Sequence, residues 1–179
     1  KQADEVTQKL KNALPWILAI GAGLAAWKLG PKLGLDLQKT IGLAVGIFGA
    51  LTLVQNILDS IVNGVIEENM TGMIFGMTLA VTGLYVALGP VAGGITAIVS
   101  GLAVLAVAFT DAEKNGWNFQ NQMLAVAGIL TAGVGIGILI GSWIPLLIAM
   151  IASLLLSITT ATGHGQELIE GVKETLKGF

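Results

Sequence analysis

Apolar residues run along this chain in six blocks, and the breaks between the blocks alternate between two kinds. The blocks cover residues 13–29, 41–58, 71–88, 91–110, 123–140 and 146–162. One kind of break is a Gly/Pro turn, at Gly30-Pro31, at Gly89-Pro90 and from Gly141 to Pro145. The other is a polar connector, residues 59–69 and 111–122, carrying Asp59, Glu67 and Glu68 in the first and Asp111 and Glu113 in the second. Between Asn69 and Thr110 there is no charged side chain, and between Asn115 and Gln166 only His164 can ionise. At 1.5 Å rise per residue, about 20 apolar residues cross a bilayer core of ~30 Å. Each of these stretches is therefore two spans joined by a tight turn. A water-soluble helix needs a polar face, and these blocks have almost none. The pattern predicts an all-α chain of three consecutive apolar hairpins: 13–58, 59–110 and 111–162.

The two ends differ from the middle. Val6, Leu10 and Leu14 recur at helical spacing in a charged lead-in, residues 1–12, and Leu168, Val172 and Leu176 do so in residues 163–179. Amphipathic helices are expected at both ends. Asn12 and Thr40 are expected as N-caps of the first and second apolar helices, with Pro15 early in the first. A charged helical start at Lys1 is expected of a piece of a longer chain rather than of a signal peptide.

An internal repeat supports the division. At an offset of 52 residues, Asp59, Asn63, Gly64 and Asn69 fall on Asp111, Asn115, Gly116 and Asn121, and Gly76, Gly83 and Gly89 fall on Gly128, Gly135 and Gly141. Leu29-Gly30-Pro31 echoes Leu88-Gly89-Pro90, a looser copy. The alternation places both connectors and both termini on one side, with six Lys and ten acidic residues, and the three turns on the other, with Lys28, Lys32, Lys39 and Asp36.

Composition sharpens this picture. Charged residues make up 11% of the 179, against about 25% in an ordinary globular domain, and mean hydropathy is +0.84. That deficit calls for a bilayer or for partners that cover the surface. A net charge of −2 gives no basis for nucleic-acid binding, and the absence of Cys removes disulfides, thiolate metal sites and cysteine nucleophiles.

Candidate chemistry is sparse. Gly72-x-x-x-Gly76, Gly133-x-x-x-Gly137 and Gly137-x-x-x-Gly141 place small residues on one helix face, the arrangement that lets helices pack closely in lipid. In a chain with 25 Gly some such pairs arise by accident. Trp16, Trp27, Trp117 and Trp143 lie near block ends, where an interfacial aromatic belt would sit; ordinary core aromatics at helix ends are the plainer alternative. His164, in Gly163-His-Gly165, is the only His and has no ligand partner nearby, so a helix cap explains it better than a metal site. The paired carboxylates are explained as solvated connector. No Asp, Glu, Lys, Arg or His lies within blocks three to six, which argues against an ion-coupled pump. No catalytic, cofactor or metal site is expected.

Leu139-Ile-Gly-Ser-Trp-Ile-Pro-Leu-Leu-Ile-Ala149, Thr160-Ala-Thr-Gly-His-Gly-Gln-Glu-Leu-Ile-Glu-Gly171 and the connector Asp111 to Gln122 together resemble the hydrophobic region of tail tape measure proteins from phages and prophages of Gram-positive bacteria. The resemblance is clearest over residues 85–179. It implies a virion component held in the tail lumen, in a protein whose length sets tail length, and inserted into the host cytoplasmic membrane at genome ejection. The implied partners are sister copies in a homo-oligomer such as a trimer, tail tube and tail tip proteins, tail assembly chaperones and host membrane lipids; phage DNA only passes by. The resemblance implies no enzyme activity in this segment: nothing in the chain matches a muralytic domain. Three other readings stay open: a cellular six-helix channel or transporter built on the repeat, a holin-like pore, and a soluble bundle covered by a partner.

Overall fold

The computed structural model describes residues 2–64 and 66–178, with the side chains of residues 7, 8, 10–16, 18 and 19 outside the description. It is all-α, with seven helices among the described residues: α1 (Gln2–Lys32), α2 (Leu37–Asn63), α3 (Ile66–Leu88), α4 (Pro90–Asn115), α5 (Phe119–Ile140), α6 (Ile144–Ala161) and α7 (Gly165–Lys177). Five of them, α2 to α6, are long and apolar enough to cross a membrane.

Several boundaries differ from the expectations above. The chain runs as one helix through Asn12 and Pro15, so Asn12 caps nothing and no break separates a lead-in from the first apolar block. α1 ends at Lys32, and the chain reverses at Gly34, whose φ is +76°. Gly30 and Pro31 therefore belong to the last helical turn rather than to the reversal. A Cβ on Gly30 would stand 2.8 Å from Thr40 Cβ, so this glycine serves the close approach of α1 to α2. The N-cap of α2 is Asp36, whose Oδ1 accepts from the Lys39 N–H at 2.8 Å. Thr40 lies one turn further in, buried beneath Gly30. The polar connectors also shrink. α2 continues through Asp59 to Asn63 and α4 through Asp111 to Asn115, and each is closed by a positive-φ glycine, Gly64 or Gly116.

Consecutive helices pack against one another, most extensively α2 on α3 and α4 on α5. Both pairs are antiparallel, and both rest on glycine. In the first pair, a Cβ on Gly49 would lie 2.7 Å from Gly76 O, and one on Gly83 would lie 2.5 Å from Gly42 O. In the second, a Cβ on Gly101 would lie 2.6 Å from Gly128 O, and one on Gly135 would lie 2.6 Å from Gly94 O. The offset of 52 converts the first set of pairs into the second. The repeating unit is thus a helix, an Asn-Gly loop and a helix: α2–α3 and then α4–α5.

Large buried side chains gather toward the connector end, where Leu53, Ile66, Met73, Val104, Leu124 and Leu156 form one cluster. Toward the turn end the interior is mostly Gly and Ala. Adding a branched side chain to a seam forces backbone apart, since the neighbour is a carbonyl rather than a side chain that can swing away. Gly135→Leu should cost on the order of 1–3 kcal/mol through overpacking. Gly171→Ala, in an exposed turn of α7 with open space around it, should stabilise by about 0.5–1 kcal/mol. Denaturation by SDS titration in mixed micelles reads both, and an unchanged midpoint for Gly135→Leu would contradict the seam.

Candidate functional site

Three features stand out among the described residues: the glycine seams, a polar clamp at each Asn-Gly loop, and an outer face of large apolar side chains.

Gly72 and Gly76 share the face of α3 that meets α2. A Cβ on Gly76 would come within 2.6 Å of Leu53 N, and one on Gly72 would overlap the Asn56 amide. The other expected packing motif separates into different roles. Gly133 meets α6, where a Cβ would stand 2.5 Å from the Ala149 Cβ. Gly137 and Gly141 form a helix end instead: Gly141, at φ +68°, donates its N–H to Gly137 O, and Ser142 N–H donates to the same oxygen at 3.1 Å. Sequence reasoning on G-x-x-x-G pairs passed over Gly49, Gly94 and Gly101 as packing residues. Carrying the 52-residue offset back into the second apolar block finds them, since Gly42 and Gly49 fall on Gly94 and Gly101. Apart from Gly30 and Pro31, the expected turn residues fall at reversals. Gly89 has φ +96° with Pro90 opening α4, and Pro145 stands in the first turn of α6.

The clamps explain the connectors. One carboxylate at the end of the first helix of each unit accepts from two Asn side chains. Asp111 Oδ1 takes the Asn115 amide at 3.0 Å, and its Oδ2 takes Asn121 Nδ2 at 2.9 Å. Asp59 repeats this with Asn63 on Oδ1 and Asn69 on Oδ2, the latter at 2.7 Å. Asn121 is wholly buried. Its amide also donates to Gly116 O at 2.9 Å, and it forms a reciprocal capping box with Asn118. Asp111 is buried as well, whereas Asp59 is exposed. The second clamp is the drier of the two.

α7 folds back over this end. Trp117 donates its ring N–H to Gly165 O at 2.9 Å and meets Phe109 edge-on with ring centroids 5.3 Å apart. Its N–H is thus taken by a carbonyl, and Trp117 packs as an ordinary structural aromatic. Lys173 pairs with Glu113, and Ile169 is buried. Trp27 and Trp143 are exposed, at the opposite end; the side chain of Trp16 lies outside the described residues. His164 stands before α7 with Nδ1 3.3 Å from Glu167 Oε2, both exposed. No group of three metal-ligating side chains occurs among the described residues. Hydroxyls along the helices, among them Thr52, Ser60, Thr96, Thr110 and Thr159, donate to the carbonyl one turn back. Such bonds hide donors from an apolar surround.

The outer face inverts the usual size order. Ile95, Val99, Leu102, Ile148, Ile151 and Leu154 are each at least half exposed, while Ala97, Ala108 and Ala125 are fully buried. A soluble monomer of 18.4 kDa exposes about 8,200 Å², and this chain exposes 10607 Å².

No protein-family model, curated protein or solved structure matches the chain.

Removing a clamp partner tests the polar design. Asn121→Ala strips a donor from a buried carboxylate and should cost about 1–3 kcal/mol, more than Asn69→Ala, where water reaches Asp59. Amide hydrogen exchange around residues 116–121 and 64–69 reports both. Equal effects, or a larger one at Asn69, would contradict the ranking.

Proposed function

We propose that this chain is the membrane-inserting hydrophobic segment of a phage tail tape measure protein. In this reading it is shielded in the tail lumen by sister copies and by tube and tip proteins, and it enters the host cytoplasmic membrane at infection to help the genome pass. The observation that carries the membrane part is the size inversion: small residues between the helices, large apolar ones outside. In water that arrangement leaves side chains worth roughly 1.5–3 kcal/mol each unburied. In lipid it costs nothing, and close packing of small residues supplies the association. The resemblance described above supplies the setting.

The charge distribution supports a direction of entry. The Gly89-Pro90 and Gly141–Pro145 turns carry no charge, so helices joined there cross turn first without taking an ion through the bilayer. Each Lys or Asp carried to the centre would add about 2.5–3.5 kcal/mol. The reversal at Gly34 has Lys28, Lys32, Asp36 and Lys39 around it and inserts last or stays at the interface. The clamped loops and α7 stay on the side of entry.

A second reading is favoured by the duplicated unit. Two copies of seam and clamp at a fixed offset also suit a cellular channel or transporter assembled from parallel repeats.

Mass spectrometry separates the two. The tape measure reading expects tryptic peptides spanning Asn115–Lys173 in detergent-washed phage or tail-like particles at a few copies per tail. Finding them only in membranes of particle-free cells would overturn it in favour of the channel. In liposomes, a protease applied outside should cleave near residues 32–39 while the 89–91 turn is protected. Equal protection at both sites would contradict the order of entry.

A further inference from the structure

An apolar trough runs down one face of the first repeat unit, and the position matching its mouth in the second unit is filled. Its floor is Ile41, Val45 and Phe48 of α2; its walls are Leu79 and Thr82 of α3 and Trp27 of α1. It consists of two stretches that meet at Val45, one of 450 Å³ toward Leu37 and Gln38 and one of 420 Å³ toward Ile20. From residue 37 to residue 48 the floor is about 16 Å long, close to one leaflet of a ~30 Å hydrocarbon core. In the second unit the position of Ile41 is taken by Gly93, and a Cβ there would meet Tyr85 Cβ at 2.7 Å. There α3 lies directly in the place that stands open on α2. α1 leaves it open because it meets α2 around the side, through Gly23 against Ala44 and Gly30 against Thr40.

One end of the trough carries the positive charge of the turn side. Lys28, Lys32 and Lys39 are exposed in the chain around the Gly34 reversal, against the single carboxylate of Asp36, which caps α2 and is exposed as well. The other two turns on that side have no charged residue. Gln38 lines the trough mouth itself.

We propose that the trough is a binding site for one anionic phospholipid. One acyl chain lies along Ile41, Val45 and Phe48, and the phosphate sits at the Gln38 end, on the side of the reversal that carries the three lysines. The occupant is a lipid because the groove is apolar along a leaflet's length and basic only at the level where a headgroup would be. The proposal rests on the membrane reading above and adds a ligand class to it: a lipid held by shape and charge rather than bulk solvent for the helices.

Native mass spectrometry of the full chain, extracted from vesicles containing equal phosphatidylglycerol and phosphatidylcholine, tests this. The expected result is retained phosphatidylglycerol. Val45→Trp or Thr82→Trp, which fill the trough, should abolish retention with helical content unchanged by circular dichroism. Replacing Lys28, Lys32 and Lys39 with Gln, all at the surface, should lower the preference for phosphatidylglycerol by roughly fivefold per lysine, each worth about 1 kcal/mol at an anionic surface. Equal retention of both lipids, or retention untouched by filling, would overturn the site. So would an oligomer that dissolves on Val45→Trp with bound lipid unchanged, which would give the trough to a second copy. A chain that never partitions into the vesicles fails the membrane reading itself, a different result from a chain that inserts and carries no preferred lipid.

Discussion

Backbone-to-backbone approach at glycine is the constraint on which the remaining structure depends. Where Gly49 meets Gly76 and Gly101 meets Gly128, each helix presents a carbonyl oxygen at the place where a Cβ on the other would stand. Contacts this close exclude both water and lipid, and they maximise dispersion between surfaces that have no hydrophobic reason to associate once they are in a bilayer. Along these seams side chains larger than alanine are displaced outward, while Leu53, Met73, Val104 and Leu124 fill the interior toward the connector end. The outer face of Ile, Leu and Val is therefore the same fact seen from the other side of the helix.

The polar chemistry sits where that packing ends. Each unit closes at one end with an Asp carboxylate shared between two Asn amides and a loop with a positive-φ glycine, and in the second unit Asn121 also takes part in the capping box that starts α5. A carboxylate held this way keeps its donors while a loop of two or three residues is pulled tight. The opposite end has no such carboxylate at its Gly89 and Gly141 reversals: positive-φ glycine and backbone bonds to Tyr85 O and Gly137 O close α3 and α5 there. The two ends therefore differ in what they can do. One is polar and fixed, and with α7 folded over it, it resists transfer into lipid. The other is apolar at two of its three reversals. In the proposed membrane entry that asymmetry would make one end lead and the other trail, and the reversal at Gly34 with its lysines is the one place where the leading side is charged.

Much of the architecture was legible in the residues. Hydrophobic blocks and Gly/Pro breaks located α2 to α6, and the 52-residue offset exposed the duplication before any geometry was known. Misreadings came where local signals compete. Asn12 and Thr40 are good cap residues with a helix already running through them: no break precedes Asn12 in α1, and Asp36 caps α2 one turn before Thr40. Asp111 looked like solvated connector, since a charge beside Asn-Gly usually is; its side chain is buried and bonds within the helix and across the loop, a pairing that only the fold brings together. Gly137 and Gly141 share the spacing of Gly72 and Gly76, and spacing alone does not separate a packing pair from a helix end. The trough was not legible at all. It comes from α1 and α3 packing on different residues of α2, Thr40 and Ala44 for the one and Gly42, Gly46 and Gly49 for the other, which no periodicity records.

The central claim is that the large apolar outer face meets lipid while the buried cluster meets only protein. Native cysteine is absent, so single spin labels can be placed cleanly at Val99 and Leu154 on the outside and at Val104 and Leu124 inside, with the chain reconstituted in vesicles. The account predicts that labels at Val99 and Leu154 collide with oxygen and are shielded from an aqueous nickel chelate, while labels at Val104 and Leu124 are reached by neither. Labels at Val99 and Leu154 that relax with the nickel chelate as readily as a water-exposed site would place that face in water and contradict the account.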